Sequence, residues 1–499
     1  MTRKRPVETG FSLPEIILYI ATFILDARTL SYFARTNRCA YLSLEQERCR
    51  NISFLVEKTP SLALFLDRQF SRHKQLSCRS LEVIGKPSFH LDPREVDTQS
   101  SILSILKEIG KRKTLEAFSY RTTNQRREFL CVAPQIFIVL RASSRTLKSL
   151  NIMSHPCNWV SLFKSDFTEL RNLQLALSYT SSPFECRTPF ESPHDVLSSS
   201  DRHRFLQSMR HLTNLVLTIH DCKAWMLDMS DLHFPKLIAI DISVTRSFAL
   251  TGVIRFVACH TELLRLRLSF ERPFVRESFL PQDLPKLRAL EFKVGLNHPF
   301  DTFFGRGQSE SAEEICARRP DIVHLSIVNL VSFQFLKDYV SPFGRQLQRL
   351  DLRSCDEQPV IGSEFYEMLK SFSALVELSI TIHGRRDTGA QNVVVQSISE
   401  VQNLLRALKD CASLRAMHLS DALAKPLDVS DLKSLQPVPP SLRYISWGNI
   451  DGETTFRIVH NTETRSAHAV VCEVSPPPHD IVYDWTSKNT FRHLFQVVE

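Results

Sequence analysis

A short apolar pattern recurs through most of this chain and constrains its fold more than any other feature. The pattern is L-x-x-L-x-L, with other apolar residues allowed, and seven of the ten intervals between successive starts are 23 to 28 residues long. A near-constant period of this length is typical of repeat proteins, in which each short unit buries its apolar face against the next. The eleven examples are Leu147-Leu150-Ile152, Leu170-Leu173-Leu175, Leu212-Leu215-Leu217, Leu237-Ile240-Ile242, Leu263-Leu266-Leu268, Leu287-Leu290-Phe292, Ile322-Leu325-Ile327, Leu347-Leu350-Leu352, Leu375-Leu378-Ile380, Leu414-Met417-Leu419 and Leu442-Ile445-Trp447, with Leu115-Phe118-Tyr120 as an earlier member.

Each triplet predicts a strand, and the segments between triplets predict helices. The final x-L-x-L alternates between apolar and other residues, which is the pattern of a strand with one buried face. The clearest intervening helix is Glu400 to Cys411, whose apolar residues recur at helical spacing. Strand and helix repeated in one direction give parallel strands. We therefore predict an α/β fold, a curved solenoid of parallel strands and helices.

The period and the leucines of this array resemble leucine-rich repeats of the irregular type, because the asparagine of the regular repeat is mostly missing. Three polar interruptions, at Ser181–Asp201, Phe304–Glu313 and Gly384–Gln391, are predicted to be surface loops. Beyond residue 450 the triplets stop. There Phe456–His460 and Ala467–Val474 alternate like a β-hairpin, and we predict that this segment covers the open end of the array.

The N-terminus predicts a very small helical unit. Ser12 and Glu15 form a capping box, Pro14 fits the first turn of a helix, and Asp26 can cap a second helix. A unit of about 40 residues or fewer rarely buries enough surface to be stable alone. This unit, the N-terminal hook (residues 11–50), is therefore expected to pack on a partner. The alternative is that it caps the repeats that follow.

The hook resembles an F-box. Leu13-Pro14-x-Glu15-Ile16 matches the opening of that family, Asp26-x-x-x-Leu30 matches the start of its second helix, and residues 34–38 followed by Tyr41 resemble the form common in fungal members. The resemblance implies a three-helix unit that binds a Skp-type adaptor and, through it, a cullin. The matched adaptor-binding positions are Leu13, Pro14, Ile16, Ile17, Leu30 and Phe33.

These patterns give a domain organisation and a functional hypothesis. The predicted segments are a basic tail (1–10), the F-box (11–50), a helical linker with a first irregular repeat (51–114), the leucine-rich-repeat-like solenoid (115–449) and a C-terminal cap (450–499). The hypothesis is a substrate-recognition subunit of an SCF-type (Skp–cullin–F-box) ubiquitin ligase. The alternative is a leucine-rich protein-binding scaffold that acts outside any ligase.

Composition and motifs argue against other classes of function. A net charge of +8 is mild for 499 residues, and it is dispersed, so we predict neither a nucleic-acid nor a membrane partner. The 12 cysteines include no CxxC, and no nucleotide-binding or hydrolase motif occurs. We therefore predict a non-catalytic protein without cofactor or metal, in the cytoplasm, the nucleus or both. The basic start Arg3-Lys4-Arg5-Pro6 is either a nuclear address or a solvated tail.

The central repeats also predict a target-binding surface. Residues that flank the last two apolar positions of a triplet point away from the core, onto the concave face of the predicted solenoid. There the charges either pair across strands, as Arg267 could with Glu291, or bind an acidic or phosphorylated target segment, which arginine can grip with two bonds. This patch holds five basic and two acidic side chains. The predicted target-binding residues are Arg265, Arg267, Lys293, His324, Arg349 and Arg353.

Overall fold

The chain divides into two units that are described here one at a time. A computed structural model describes residues 14–22, 32–36, 38–48, 50–55, 78–85, 93–122, 135–154, 159–178, 199–220, 227–244, 250–270, 279, 283–293, 321–328, 333–354, 362–382, 398–421, 437–449, 452–460 and 467–471. Unit 1 comprises Met1–Leu227 with Leu232–Leu237, and unit 2 comprises Asp228–Asp231 with Ile238–Glu499. Among the helices of these described residues, none combines the length and the apolar character that crossing a membrane requires.

Unit 1 is built on a parallel sheet whose neighbouring strands follow one another in the chain. Its strands are β1 (Asn51–Leu55), β2 (Ser80–Gly85), β3 (Ala117–Thr122), β4 (Ser149–Ser154), β5 (Asn172–Ser178) and β6 (Asn214–His220). Its helices are α1 (Pro14–Thr22), α2 (Arg38–Arg48), α3 (Pro93–Arg112), α4 (Gln135–Arg141), α5 (Trp159–Phe163) and α6 (Ser199–Gln207).

Unit 2 repeats the same arrangement. Its parallel strands are β8 (Ala239–Val244), β10 (Arg265–Phe270), β11 (Ala289–Lys293), β12 (His324–Val328), β13 (Arg349–Ser354), β14 (Glu377–Ile382), β15 (Ala416–Asp421) and β16 (Tyr444–Asn449). A short strand, β9 (Leu250–Thr251), lies outside this sheet, as does β7 (Leu227–Asp228), of which Leu227 belongs to unit 1 and Asp228 to unit 2. The helices are α7 (Val253–Ala258), α8 (Phe333–Tyr339), α9 (Ser363–Leu369) and α10 (Ile398–Ala407), with a 3-10 turn at Ser341–Phe343.

The core of each unit confirms the triplet pattern. In each of the twelve triplets the last two residues lie on a strand and the first lies just before it, and apart from Phe292, whose side chain is not described, every triplet residue is buried. Along a strand, the two buried triplet residues alternate with residues of the opposite face. Helices cover the apolar side, as α10 does with Val401, Leu404 and Leu405, all buried. The sequence therefore predicted both the α/β class and the leucine-rich-repeat-like arrangement.

One backbone contact recurs where each strand begins. The carbonyl oxygen of Lys148 accepts hydrogen bonds from the N–H groups of Arg171 and Asn172, at 2.8 and 2.9 Å. Because a carbonyl oxygen has two lone pairs, it can hold two successive N–H groups of the next repeat and fix the register between strands. Carbonyls that accept two bonds in this way belong to Arg50, Arg79, Glu116, Lys148, Arg171, Ile238, Leu264, Arg288, Val323, Gln348, Val376 and Arg415.

The two ends of the array differ from each other. The antiparallel hairpin predicted near the C-terminus is confirmed, because β17 (Gly452–His460) pairs with β16 and with β18 (Ala467–Val471). At the other end, the parallel sheet begins at β1 and β2, within the segment predicted as a helical linker with a first irregular repeat (51–114). Strand β1 lacks a leucine triplet, and of its side chains only Phe54 is buried. The interruptions Phe304–Glu313 and Gly384–Gln391 lie outside the described residues.

Candidate functional site

The face of the unit 2 sheet opposite the leucines carries most of the buried charge in the described residues. We call it the charged face. Its members alternate with the buried triplet residues of β8 and β10–β15, which is why they share one side of the sheet. They are Asp241, Arg265, Arg267, Glu291, His324, Ser326, Arg349, Asp351, Arg353, Glu377, Ser379 and His418.

Arg267 lies between two carboxylates on the neighbouring strands. The strand register places Arg267 of β10 beside Asp241 of β8 and Glu291 of β11. Its Nε lies 3.0 Å from Glu291 Oε1, and its Nη1 lies 3.5 Å from Asp241 Oδ2. The pairing of Arg267 with Glu291 across strands, one of the two interpretations open from sequence, is therefore confirmed. The Arg267 side chain keeps 31% of its surface exposed, whereas both carboxylates are buried.

Arg349 forms a second, deeper network on β12–β15. Its Nε lies 3.1 Å from Asp351 Oδ2, and its Nη1 donates to Glu377 Oε2 at 3.0 Å. His324 contributes its Nε2, 3.1 Å from the same Asp351 oxygen. His418 approaches the other Glu377 oxygen, with Nε2 2.9 Å from Oε1. Each carboxylate of this network thus contacts two nitrogen-bearing side chains.

The predicted exposure of two target-binding residues is wrong. His324 is 0% exposed and Arg349 is 1% exposed, so neither side chain can contact a partner on this face. The alternation identified the correct side of the sheet, but the long side chains on neighbouring strands fold over one another and exclude water. Arg267 and Arg353 remain partly exposed, as does Arg265. Lys293 ends β11 in register with Val328, and its side chain lies outside the described set.

Two acidic residues that the sequence prediction missed change the charge of this face. Asp241 and Glu377 occupy the same strand offsets as the predicted residues, one flanking Ile240 and the other preceding Leu378. The same alternation rule, applied one strand further in each direction, identifies both. With them, the four arginines and four carboxylates whose side chains are described cancel in formal charge. The net positive patch expected from sequence is therefore wrong for these residues.

Burial sets the ionisation of the charged face. It raises the pKa of Asp241 and of Glu291 above the usual carboxyl range, against the attraction of Arg267. Burial also lowers the pKa of His324 to about 4, so the imidazole is neutral at pH 7 and its Nε2–H donates to Asp351. Although burial opposes ionisation of Asp351, Arg349 and the hydrogen bond from His324 together hold its pKa below the usual range.

The buried His324 predicts a specific loss of stability in mild acid. Because its pKa falls from 6.5 to about 4 on folding, the unfolded chain takes up a proton between these values and the folded chain does not. Lowering the pH from 7 to 5 should therefore remove about 2 kcal/mol of the free energy of unfolding through this group. We expect His324→Asn, which keeps a donor near Asp351 but cannot titrate, to lose that much less than the wild type. Urea unfolding at both pH values measures the difference.

The wild type must be compared with His324→Asn because other groups change the stability in the opposite direction as the pH falls. Asp241 and Glu291 have raised pKa values, so the folded chain binds their protons first and gains stability as the pH falls. These contributions are present in wild type and variant alike and cancel in the difference. Equal losses of stability on acidification in both proteins would rule out His324 as the group responsible.

Several buried atoms of the charged face, among the described residues, have no hydrogen-bond partner. Those of interest here are Glu291 Oε2, Ser326 Oγ and Arg353 Nη2, and each is shielded from solvent. Glu291 and Ser326 are direct neighbours across β11 and β12, and the Arg353 guanidinium is near enough to Glu291 to lower its pKa against the effect of burial. Most buried polar atoms in proteins are satisfied. The part of the face over β11–β13 therefore retains unused hydrogen-bonding capacity.

The N-terminal hook has a small core of its own. Ile17 of α1 and Ala40 and Leu44 of α2 are fully buried together with Ala34, and Phe33 packs against them. The prediction that Ile17 contacts an adaptor is therefore corrected, since its side chain stabilises the hook. Ile16 is exposed and Pro14 begins α1. Leu13 and Leu30 lie outside the described residues, so the expected three-helix unit stays a prediction.

Cys259 and His260, neighbours in the chain, both contact the backbone at the end of α7. The Cys259 thiol donates to the carbonyl of Phe256 at 3.0 Å, and His260 Nδ1 contacts the same carbonyl oxygen at 2.6 Å. Burial raises the pKa of the Cys259 thiol. A raised pKa disfavours the thiolate, which is the form that reacts or binds metals. These contacts give Cys259 and His260 a structural role in unit 2.

Comparison with known proteins gives only distant similarity. The sequence matches no family model, and no curated protein matches it significantly. The fold is similar to the leucine-rich repeat-containing protein LegL7 of Legionella pneumophila, with 12% identity and a TM-score of 0.32, over 70% of this chain and 93% of that one. It is also similar to a Bacteroides fragilis protein, with 12% identity and a TM-score of 0.30, over 77% of this chain and 86% of the other.

Proposed function

We propose that this chain is the substrate-recognition subunit of an SCF-type ubiquitin ligase. In this proposal the N-terminal hook binds a Skp-type adaptor, the adaptor joins the chain to a cullin, and the repeat sheets hold the target. The resemblance of residues 13–41 to an F-box supports the adaptor. The leucine-rich-repeat-like sheets, which present long rows of polar side chains on one face, support a role in binding another protein.

The exposed apolar surface of the hook carries this proposal. Of the eight large hydrophobic side chains exposed in the described residues, five belong to the hook: Ile16, Leu18, Tyr19, Tyr32 and Tyr41. Clustering of this kind marks interaction sites, whereas single exposed apolar residues are ordinary. Aromatic residues are also enriched at protein interfaces. These exposed residues support a docking surface on a unit that has already buried its own small core.

The proposed role is positional and not catalytic. A receptor that holds its target near the ubiquitin-transferring enzyme raises the effective concentration of the target's lysines at that enzyme. The chemistry is supplied by the partners. The alternative function is a protein-binding scaffold outside any ligase. In that case the same sheets bind the partner, but the hook does not join the chain to a cullin.

We expect that replacing Ile16 and Tyr19 together with alanine weakens adaptor capture at least tenfold. The two side chains are neighbours at i and i+3 on α1, 42% and 67% exposed. Burying each in an interface contributes about 1.5–3 kcal/mol, and about 1.4 kcal/mol corresponds to a factor of ten in affinity. Co-purification of the tagged full chain with the adaptor and cullin, with the proteasome blocked, measures the effect.

The matched control replaces Ile138 and Val459, which are 65% and 37% exposed and lie outside the hook. Their substitution by alanine should leave adaptor capture unchanged. Equal capture by the hook variant and the wild type would refute the F-box assignment. Adaptor without cullin in the purified complex would instead favour the scaffold outside a ligase.

A further inference from the structure

On the charged face of unit 2 the acidic side chains are buried and most of the basic side chains are partly exposed. All four carboxylates whose side chains are described on this face, Asp241, Glu291, Asp351 and Glu377, are buried. The partly exposed charged members are Arg265, Arg267 and Arg353, and they are joined by His418. The formal charges of the face cancel, but an approaching molecule meets mainly positive charge, because the groups that reach solvent are mainly guanidinium groups.

We propose that the charged face between β10 and β13 binds an anionic segment of a partner protein, whose carboxylate or phosphate oxygens contact Arg267 and Arg353. These two residues lie on either side of Glu291 and Ser326 in the strand order. The inference relies on the proposed function only in naming that partner as a ligase target. It moves the anion-binding residues away from His324 and Arg349, which are buried.

A buried carboxylate positions one of the two arginines. Glu291 Oε1 lies 3.0 Å from Arg267 Nε and holds that guanidinium, while the Arg353 charge also acts on Glu291 and lowers its pKa against the effect of burial. A guanidinium held in place by one carboxylate loses less conformational entropy when it binds a second anion. Each group also keeps N–H donors for a partner, since a guanidinium has five and both side chains are partly exposed. The unpaired Arg353 Nη2 is not one of these donors, because it is shielded from solvent.

The side chain between the two arginines is small and buried. Ser326 lies beside Glu291 on one strand and Asp351 on the other, and it is 0% exposed, so it does not itself contact a partner. A planar fork on each side of it suits an oxygen-rich anion, because arginine binds carboxylate and phosphate with two parallel hydrogen bonds. A cationic segment would meet the guanidinium groups first and be repelled.

The test uses the full-length chain and immobilised peptide libraries that differ in one central residue. The central position is phosphoserine, glutamate or glutamine, within the same random flanking sequences. We expect capture of phosphoserine or glutamate peptides to exceed that of glutamine peptides, and Arg267→Gln with Arg353→Gln to lower that capture at least tenfold. A preference for phosphoserine identifies a phosphorylated partner. Equal capture of both anions identifies an acidic one.

The control variant removes the same charge from the same unit away from the sheet. Lys286→Gln with Lys370→Gln changes two exposed cations that pair with Glu262 and Glu367. This variant should retain capture within about twofold, because screened surface charges act weakly at a distance. Two results would overturn the inference. One is that anionic peptides are captured no better than glutamine peptides. The other is that the double arginine variant and the double lysine variant capture anionic peptides equally well.

A measurement on the wild-type chain keeps the inference testable if the face variant does not fold. Arginine-specific labelling with phenylglyoxal, mapped by mass spectrometry, should label Arg267 and Arg353 but not the buried Arg349. Bound phosphoserine or glutamate peptide should protect the first two residues. Unchanged labelling with peptide bound would place the anion elsewhere. Because none of these measurements involves the hook, failure here leaves the adaptor experiment unaffected, and the reverse also holds.

Discussion

Replacing Arg349 with methionine is expected to lower the free energy of unfolding by about 3–5 kcal/mol, because it leaves Asp351 and Glu377 buried without their cation. Arg349 is 1% exposed and contacts both carboxylates at 3.0–3.1 Å. Methionine keeps much of the packing volume, so the loss is mainly electrostatic. Urea unfolding of the full chain, together with hydrogen exchange of the β12–β14 amides, measures it.

Two companion variants isolate the cause of that loss. Arg267→Met removes an arginine with the same number of carboxylate contacts but a side chain 31% exposed, so water can solvate what remains and the loss should be smaller. Adding Glu377→Met to Arg349→Met removes one of the stranded carboxylates and should recover part of the stability. If Arg349→Met and Arg267→Met lost the same free energy of unfolding, burial of the arginine would not be the cause of the larger loss.

Leu325→Asp should abolish accumulation of soluble protein. Leu325 is the central residue of its triplet, it is 1% exposed, and the register places it between Leu290 and Leu350 on the neighbouring strands. A carboxylate there has no cation within an apolar core, and burying an unpaired charge costs several kcal/mol, comparable with the whole stability of a domain. The soluble fraction after expression is the measurement.

The control for this variant is the same new residue at an exposed position of the same unit. Val459 lies on β17 and is 37% exposed, so Val459→Asp should express as the wild type does. A soluble Leu325→Asp protein with an unchanged unfolding midpoint would mean that β12 does not contribute to a continuous core.

The fold was largely predictable because its determinants are local. The spacing of Leu347, Leu350 and Leu352 identifies one strand without reference to the rest of the chain, and each of the other triplets does the same. The helix predicted at Glu400 to Cys411 is observed at Ile398–Ala407, because apolar spacing marks it directly. Strand β1 was missed because it has no triplet, and its place at the edge of the sheet requires less apolar surface.

The site was less predictable because depth is not a local property. Alternation placed His324 and Arg349 on the correct face, yet both are buried by side chains from neighbouring strands. In the hook, helical spacing could not separate Ile17, which faces the core, from Ile16, which is exposed. In each case the answer depends on which residue lies opposite, and that is fixed only when the strands or helices have packed.

The three-strand contact of Arg267 has a consequence for how this surface can evolve. Arg267 is shared by Asp241 on one neighbouring strand and Glu291 on the other, and these residues lie 26 and 24 positions away in the chain. A single inherited change at any one of these three residues leaves the charges of the other two buried and unbalanced. We therefore expect related sequences to vary at these three positions as a set, so that new recognition properties arise by exchange or duplication of whole repeats more readily than by isolated point mutations.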